Sequence, residues 1–360
     1  MKIGFFTDTY YPQVNGVTFT VESWAKELAK KHEVKVFYPE SSHTPKPNEY
    51  PIKSVDFRFY RGYRSALPFV DPKKTDDLDV VHVHGLFGMA LSALNTSRRN
   101  HCPAYLTYHT PFEDYMGYIT KKRIIQKPLI SLYNLWEKHL MRRFNLITVP
   151  SKVMKKHLIE KGDPTPKVLS NGIDTELFSW RDPEEFLYKH QIPPKLNIGF
   201  CGRFGYEKHL EELIYLSAEL DANILLAGSG PAEKYYMDLA RGRGNVKFLG
   251  FIKREELAEF YSALDVFVFP STAETQGLVA LEAMACGTPV VGAKKLALEE
   301  TILDGKTGFH YRLGDRKQLM EKIRQCLKRE DFPENCRNEA RKHSIENTVK
   351  KLLEIYDGKR

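Results

Sequence analysis

Ten short apolar runs, each about the length of a buried strand, are spaced along the chain, with helical patterns such as residues 18–31 between several of them. Residues 2–6, 33–37, 80–83, 104–108 and 146–149 come first. A stretch from Leu177 to Pro194 follows, in which Asp182-Pro183 and Pro193-Pro194 break every periodicity. The pattern then restarts at residues 196–201, 222–227, 246–248, 266–269 and 289–292. A parallel strand covered on both faces reads as a continuous apolar run, without alternation. Strand–helix repetition of this kind specifies an α/β fold, here two consecutive units with mostly parallel sheets. The expected division is 1–178, a linker over 179–194, and 195–343.

Other properties narrow the class. The 360 residues, 42% of them hydrophobic, suffice for two ordinary cores. There is no run of 18 apolar residues, so no spanning helix is expected. The opening Met-Lys-Ile-Gly-Phe-Phe-Thr-Asp reads as a first strand, not as a secretory signal. Cys102, Cys201, Cys286, Cys326 and Cys336 are scattered, without a Cys-x-x-Cys pair, so neither a zinc site nor a disulfide framework is expected. A reducing cytoplasm is the expected location. Residues 1–180 hold 26 Lys and Arg against 18 Asp and Glu, whereas residues 181–360 hold 28 against 28. The whole excess lies in the first half, which points to an anionic partner there. Nucleic acid fits that charge but has no motif behind it; an anionic membrane surface is the expected partner.

The densest chemistry lies between Ser271 and Ala293. A buried strand runs into a turn carrying Glu274, Gln276 and Gly277, and a helix follows over 278–285. The first N–H groups of such a helix favour a phosphate or other anion. Glu282 falls about one turn into the helix, within reach of the same ligand. Upstream, Cys201-Gly-Arg-Phe-Gly-Tyr-Glu-Lys208 also leaves a strand and enters a helix. Arg203 offers a planar fork and Lys208 a point charge, a pair suited to a diphosphate. Gly228 and Gly230 form a glycine turn after another predicted strand, a weak signal by itself. In the first half, Asn15-Gly16-Val17 follows the first strand and precedes a helix. His82 and His84 share one face of a strand, and His109 ends another. Strand C-termini line the ligand crevice of a parallel sheet.

Between Tyr118 and Arg143 lie Lys121, Lys122, Arg123, Lys127, Lys138, Arg142 and Arg143 with a single acid, Glu137. Leu129, Leu132, Tyr133, Trp136 and Leu140 repeat at helical spacing. Two readings stay open for that stripe, a core-facing helix with a solvated basic face and an amphipathic membrane contact. Ile119, Ile124 and Ile125, mixed with the basic cluster at 121–123, form the better membrane contact. Tyr115 and Tyr118 are expected at an acceptor entrance.

The string from Ser271 to Ala293, with Gly202-Arg-Phe…Glu-Lys208, Leu225-Leu-Ala-Gly-Ser-Gly-Pro231 and Ser170-Asn-Gly-Ile-Asp174, resembles the retaining GT-B glycosyltransferases of family 4, group 1. The resemblance covers essentially the whole chain, and the motif style is nearest to enzymes that glycosylate diacylglycerol or phosphatidylinositol. It implies two Rossmann-like domains facing across a cleft, acceptor domain first. It also implies a final helix, about 344–357, that returns to the first domain. The donor implied is a nucleotide diphosphate sugar, UDP-hexose or GDP-mannose, with no metal or other cofactor. Arg203 and Lys208 would hold the diphosphate, and Glu274 with the backbone of Gln276, Gly277, Leu278 and Val279 the hexose. Glu282 would hold the ribose. Gly228, Gly230, Phe251 and Ile252 would border the nucleotide, and His109 would stand beside the reacting sugar. The family usually has Gly-Gly where this chain has Asn15-Gly16. The acceptor expected is a membrane lipid, handled by a protein held peripherally on the cytoplasmic face. A soluble saccharide acceptor, a silent nucleotide-sugar-binding protein and a sugar-nucleotide epimerase are the alternatives.

Overall fold

The computed structural model describes residues 1–56, 64–109, 111, 123–162 and 166–358, and the side chains of 123–125 stand outside that description. Two compact units account for the chain, one of Met1–Asn171 with Thr348–Arg360 and one of Gly172–Asn347.

The first unit is built on β1 (Lys2–Thr7), β2 (Glu33–Pro39), β3 (Glu49–Ile52), β4 (Val80–His84), β5 (Ala104–Thr107), β6 (Leu146–Val149) and β7 (Lys167–Val168). Their order across the sheet is β3-β2-β1-β4-β5-β6-β7, every pair parallel. Helices α1 (Gly16–Leu28) and α2 (Gly88–Asn100) follow β1 and β4, and α3 (Arg123–Met141) lies between β5 and β6. The order reverses between β1 and β4, so the loops after these two strands border the switch point where open α/β sheets take ligands. Asp8, immediately after β1, is buried there. Its carboxylate accepts from the N–H groups of Phe87 at 2.8 Å and Met89 at 3.1 Å, and so caps α2, whose own N-cap residue Phe87 offers no side-chain bond. Burial nevertheless raises Asp8 to about 6.

The second unit repeats the plan with β8 (Leu196–Cys201), β9 (Ala222–Ala227), β10 (Val246–Gly250), β11 (Val266–Phe269), β12 (Val290–Ala293) and β13 (Gly308–Tyr311). Their order is β10-β9-β8-β11-β12-β13, again parallel throughout. The switch point lies between β8 and β11. Each strand of this sheet except β10 and the edge strand β13 is fully buried after its first residue, as a sheet covered on both faces requires. Helix α4 (Leu278–Ala285) follows β11 and spans the residues expected from sequence.

A final helix, α5 (Ile345–Tyr356), carries the chain from Thr348 onward into the first unit. There the Tyr356 hydroxyl lies 2.6 Å from His82 Nδ1. His82 Nε2 lies 2.7 Å from Thr107 Oγ1, which is 2.8 Å from Thr148 Oγ1, and the Thr148 hydroxyl donates to the Leu106 carbonyl at 3.4 Å. With that carbonyl as the terminal acceptor, one direction satisfies every group. Tyr356 donates to Nδ1, and Nε2–H donates through Thr107 to Thr148. His82 is therefore a neutral anchor for the C-terminal helix, and burial pushes it down to about 3.

Candidate active site

The loops leaving β8 and β11 come together in the second unit. Gly202-Arg203-Phe204 runs beside the glycine turn after β9, where Phe204 N–H donates to Ser229 O at 2.8 Å. A Cβ on Gly228 would fall 1.9 Å from Gly202 O, and one on Gly230 would fall 2.6 Å from Phe204 O. The two glycines are thus required by the close packing of two backbone segments. The Gly250 carbonyl accepts from Gly228 N–H at 2.7 Å, which fixes Phe251 and Ile252 beside the same turn. Phe251 is 65% exposed, whereas Ile252 is buried in the core and offers the site only its backbone.

Thr272 N–H and Oγ1 both donate to Glu207 O, at 3.0 and 3.2 Å, and hold the 203–208 loop against the 271–277 loop. This brings Lys208 Nζ to 2.5 Å from Glu274 Oε1 and 3.3 Å from Ser271 Oγ, with the Phe269 ring beneath it at 5.9 Å. Both side chains of the ion pair are about 15% exposed, at 15% and 14%. Arg203 stands at the rim, more open, 3.8 Å from Glu207. Lys208 and Glu274, expected from sequence at the diphosphate and at the hexose, therefore bind each other directly.

Gly277, at φ 81°, turns the chain from β11 into α4, and a Cβ there would lie 2.9 Å from Leu298 Cδ2. Gln276 is buried, with its carbonyl held by Thr301 Oγ1 at 2.5 Å. Leu278 and Val279 pack their side chains on the core. No side chain caps the start of α4, and Ala280 N–H, the third of the helix, donates to the Gly277 carbonyl at 3.0 Å. Glu282, one turn on, is buried. Its Oε2 accepts from the Tyr261 hydroxyl at 2.9 Å, and Oε1 stands 3.8 Å from Arg254 Nη1. Burial raises Glu282 while Arg254 and Tyr261 pull it back toward the ionised form. The sequence gives no sign of Tyr261 or Arg254, because both lie on another helical segment and nothing in their spacing points to Glu282.

In the first unit His109 follows β5, 8% exposed, with Nε2 at 2.9 Å from His84 Nδ1. Burial lowers His109 to about 3, with a hydrogen bond to the Asn171 side chain working the other way. The sequence reading leaves His84 and Asn171 out of the site, although the Val-His-Val-His alternation on β4 places His84 on the face of His82. Asn15, expected beside the donor, is the N-cap of α1. Its φ of −154° is ordinary extended backbone, and its side chain caps α1 by accepting from Thr18 N–H at 3.0 Å. Asn15 stands at that position as a helix cap, and Gly16 and Val17 open the helix.

The stripe of α3 is divided: Trp136 Nε1 donates to the Leu86 carbonyl at 2.9 Å, and the Tyr133 ring lies 5.9 Å from that of Phe87. Leu140 is buried, but Leu129, Leu132, Leu135 and Trp136 are exposed, with Leu132 and Leu135 at 66%. The acid Glu137 is turned inward and pairs with Lys161 at 3.1 Å. Lys127, Arg142 and Arg143 are exposed. Tyr115, Tyr118, Lys121 and Lys122 lie outside the described residues, as does the side chain of Arg123. Among the described residues no group of three or more His, Cys, Asp or Glu is placed to hold a metal ion, and no helix is long and apolar enough to cross a membrane.

Comparison with known proteins places these features in context. Residues 14–177 match the family model described as Glycosyltransferase Family 4, and residues 183–343 match the model for Glycosyl transferases group 1. The alpha-monoglucosyldiacylglycerol synthase of Streptococcus pneumoniae is 29% identical over 99% of this chain and 85% of its own length. The GDP-mannose-dependent alpha-mannosyltransferase of Mycobacterium tuberculosis is 27% identical over 88% of this chain and 85% of its own. Among solved structures, Anabaena HepE in complex with UDP and glucose superposes with a TM-score of 0.78 at 19% identity, covering 99% of this chain and 100% of that one.

Proposed function

The chain belongs to the group 1 glycosyltransferases of family 4 and has their GT-B fold, and on that footing we propose that it moves a hexose from a nucleoside diphosphate sugar to a hydroxyl of a membrane lipid, with retention at the anomeric carbon. The observation that carries the donor side is the Lys208–Glu274 pair at the uncapped start of α4. It sets one cation and one carboxylate side by side in the loop that leads to a helix start without a side-chain cap, the mixture that a diphosphate and sugar hydroxyls need. A diphosphate entering between Arg203 and Lys208 competes with Glu274 for the ammonium, which releases the carboxylate to accept from the hexose. Fixed cations at the leaving group then stabilise the charge that grows as the glycosidic bond breaks, work that a metal performs elsewhere. Glu282, held by Tyr261, is assigned to the ribose. Gly228, Gly230, Phe251 and the Ile252 backbone are assigned to the nucleotide, and the domain limits of the acceptor and donor halves to the two compact units.

The lipid acceptor is supported by the likeness to a glucosyldiacylglycerol synthase across the whole chain and by α3. Its exposed leucines, the exposed Lys127 with Arg142 and Arg143 just past its end, and its one inward-turned acid make this surface apolar with cations close by. Such a face suits the headgroup layer of an anionic leaflet, each exposed Lys or Arg adding about 1 kcal/mol at low salt. This moves the described part of the contact from residues 121–123 to Leu129–Trp136, with peripheral attachment on the cytoplasmic side. The test offers UDP-glucose, UDP-galactose and GDP-mannose, each labelled in the sugar, to diacylglycerol in phosphatidylglycerol vesicles and to soluble saccharides. Label in the lipid, lost in neutral vesicles and in Leu132→Ser/Leu135→Ser, supports the proposal. Label in a saccharide with no vesicle dependence would replace it with the soluble-acceptor reading.

A further inference from the structure

His84 lies at the end of β4, 1% exposed. Its ring is stacked with His109 at 5.2 Å between centroids and 21° between planes, and with His82 at 4.8 Å and 16°. The rings of Phe5 and Trp24 close its remaining sides at 5.2 and 5.5 Å. Among the described residues its Nε2 has no hydrogen-bond partner, while its Nδ1 is 2.9 Å from His109 Nε2. A buried N–H without an acceptor is rarer than a buried lone pair without a donor. The proton of neutral His84 therefore belongs on Nδ1, where it is donated to His109 Nε2. His109 Nε2 is then the acceptor, and the proton of neutral His109 sits on Nδ1.

We propose that His84 is a positioning residue that fixes the tautomer and ring plane of His109, and that His109 consequently serves the reaction as a neutral fixture and not as the base that takes the acceptor proton. This rests on the glycosyltransferase reading above. With its Nε2 lone pair taken by His84 and its own proton on Nδ1, His109 has no place for the acceptor proton, which must go elsewhere. The acceptor oxygen forms its bond to the anomeric carbon, the bond from that carbon to the β-phosphate oxygen breaks, and the proton passes from the acceptor hydroxyl to the departing diphosphate.

Two variants separate positioning from packing. In His84→Asn an amide N–H can still be given to His109 Nε2, and in His84→Leu it cannot. Nitrogen-15 NMR of histidine-labelled protein should show His109 as the Nδ1–H tautomer in the parent and in His84→Asn, and as a mixture in His84→Leu. In the transfer assay His84→Leu should lower kcat roughly 10-fold or more, the usual size of an outer-partner effect, with the donor KM unchanged. His84→Asn should recover most of that loss, and kcat should show no limb from histidine titration between about pH 6 and pH 8. Thermal unfolding and nucleotide binding by each variant check that it is folded. An Nε2–H tautomer of His109 in the parent would overturn the proposal, as would equal losses in the two variants, no loss in either, or a histidine limb in kcat. If the parent transfers no hexose at all, the functional reading fails, and the tautomer measurement still decides this one.

Discussion

Lowering the pH from 7 to 5 should destabilise the first unit well before ordinary carboxylates begin to protonate. His82 and His109 are neutral in the fold, lowered by burial to about 3, whereas in the unfolded chain histidine titrates near 6.5. Their folded values lie below the unfolded one, so their contribution is full above about pH 6.5 and is lost as the pH falls toward 3. At pH 5 the unfolded state has taken up each proton and the folded state has not, which costs about 2 kcal/mol per histidine. The figure is the same for any folded value well below 5. His84 shifts in the same direction, for the same reason. Asp8 opposes them. Raised to about 6, it binds its proton first in the folded state and returns about 1 kcal/mol at pH 5. The net loss is roughly 3 kcal/mol before His84 is added, a large part of the 5–15 kcal/mol that holds a typical domain. Trp24 reports on the site directly, since its ring lies 5.8 Å from His82 and 5.5 Å from His84. Urea unfolding should be followed by its fluorescence in a Trp136→Phe/Trp180→Phe background. With a slope of about 2 kcal/mol per molar, the midpoint should fall by roughly 1.5 M between pH 7 and pH 5. Asp8→Asn removes the opposing proton and should enlarge the drop. A midpoint that is unchanged or higher at pH 5 would refute the buried neutral histidines.

Arg203→Ala and Lys208→Ala should each cut turnover roughly 100-fold, but only Lys208→Ala should also lower the melting temperature, because it strands Glu274 in a mostly buried position; equal melting points would show that the pair is not a structural tie. Glu274→Ala should slow transfer far more than it weakens binding of the bare nucleoside diphosphate, whereas Tyr261→Phe and Glu282→Gln should weaken both ligands together in calorimetry. Gly230→Ala, which drives a Cβ into the Phe204 backbone, should destabilise the second unit by about 2 kcal/mol or more, and a scanning-calorimetry trace like that of the parent would show that the turn has room.

The two-unit α/β plan was legible because parallel sheets covered on both faces leave continuous apolar runs that need no alignment to see. The short edge strands β3, β7 and β13 were not, since edge position removes the need for a long apolar segment, and Lys167–Val168 has only two residues to show. Gly277 and the start of α4 could be placed from the strand–turn–helix order alone. The pairing of Lys208 with Glu274 could not, because 66 residues separate them and their loops meet through the pairing of β8 with β11 and the bonds from Thr272 to Glu207. At Asn15 the sequence shows a departure from Gly-Gly, and the structure adds the bond that the side chain accepts from Thr18 N–H. The stripe on α3 shows the limit of periodicity, which reports that one face is apolar and is silent on whether protein covers it.

The most direct test of the account is to follow the anomeric proton by NMR while the protein consumes a nucleotide sugar in the presence of diacylglycerol vesicles and EDTA. The expected product is a lipid-linked hexose with the donor's α configuration, formed at the same rate with and without the chelator, and lost with Lys208→Ala. A β-linked product, a requirement for a divalent metal, or failure to consume any of UDP-glucose, UDP-galactose and GDP-mannose would contradict it.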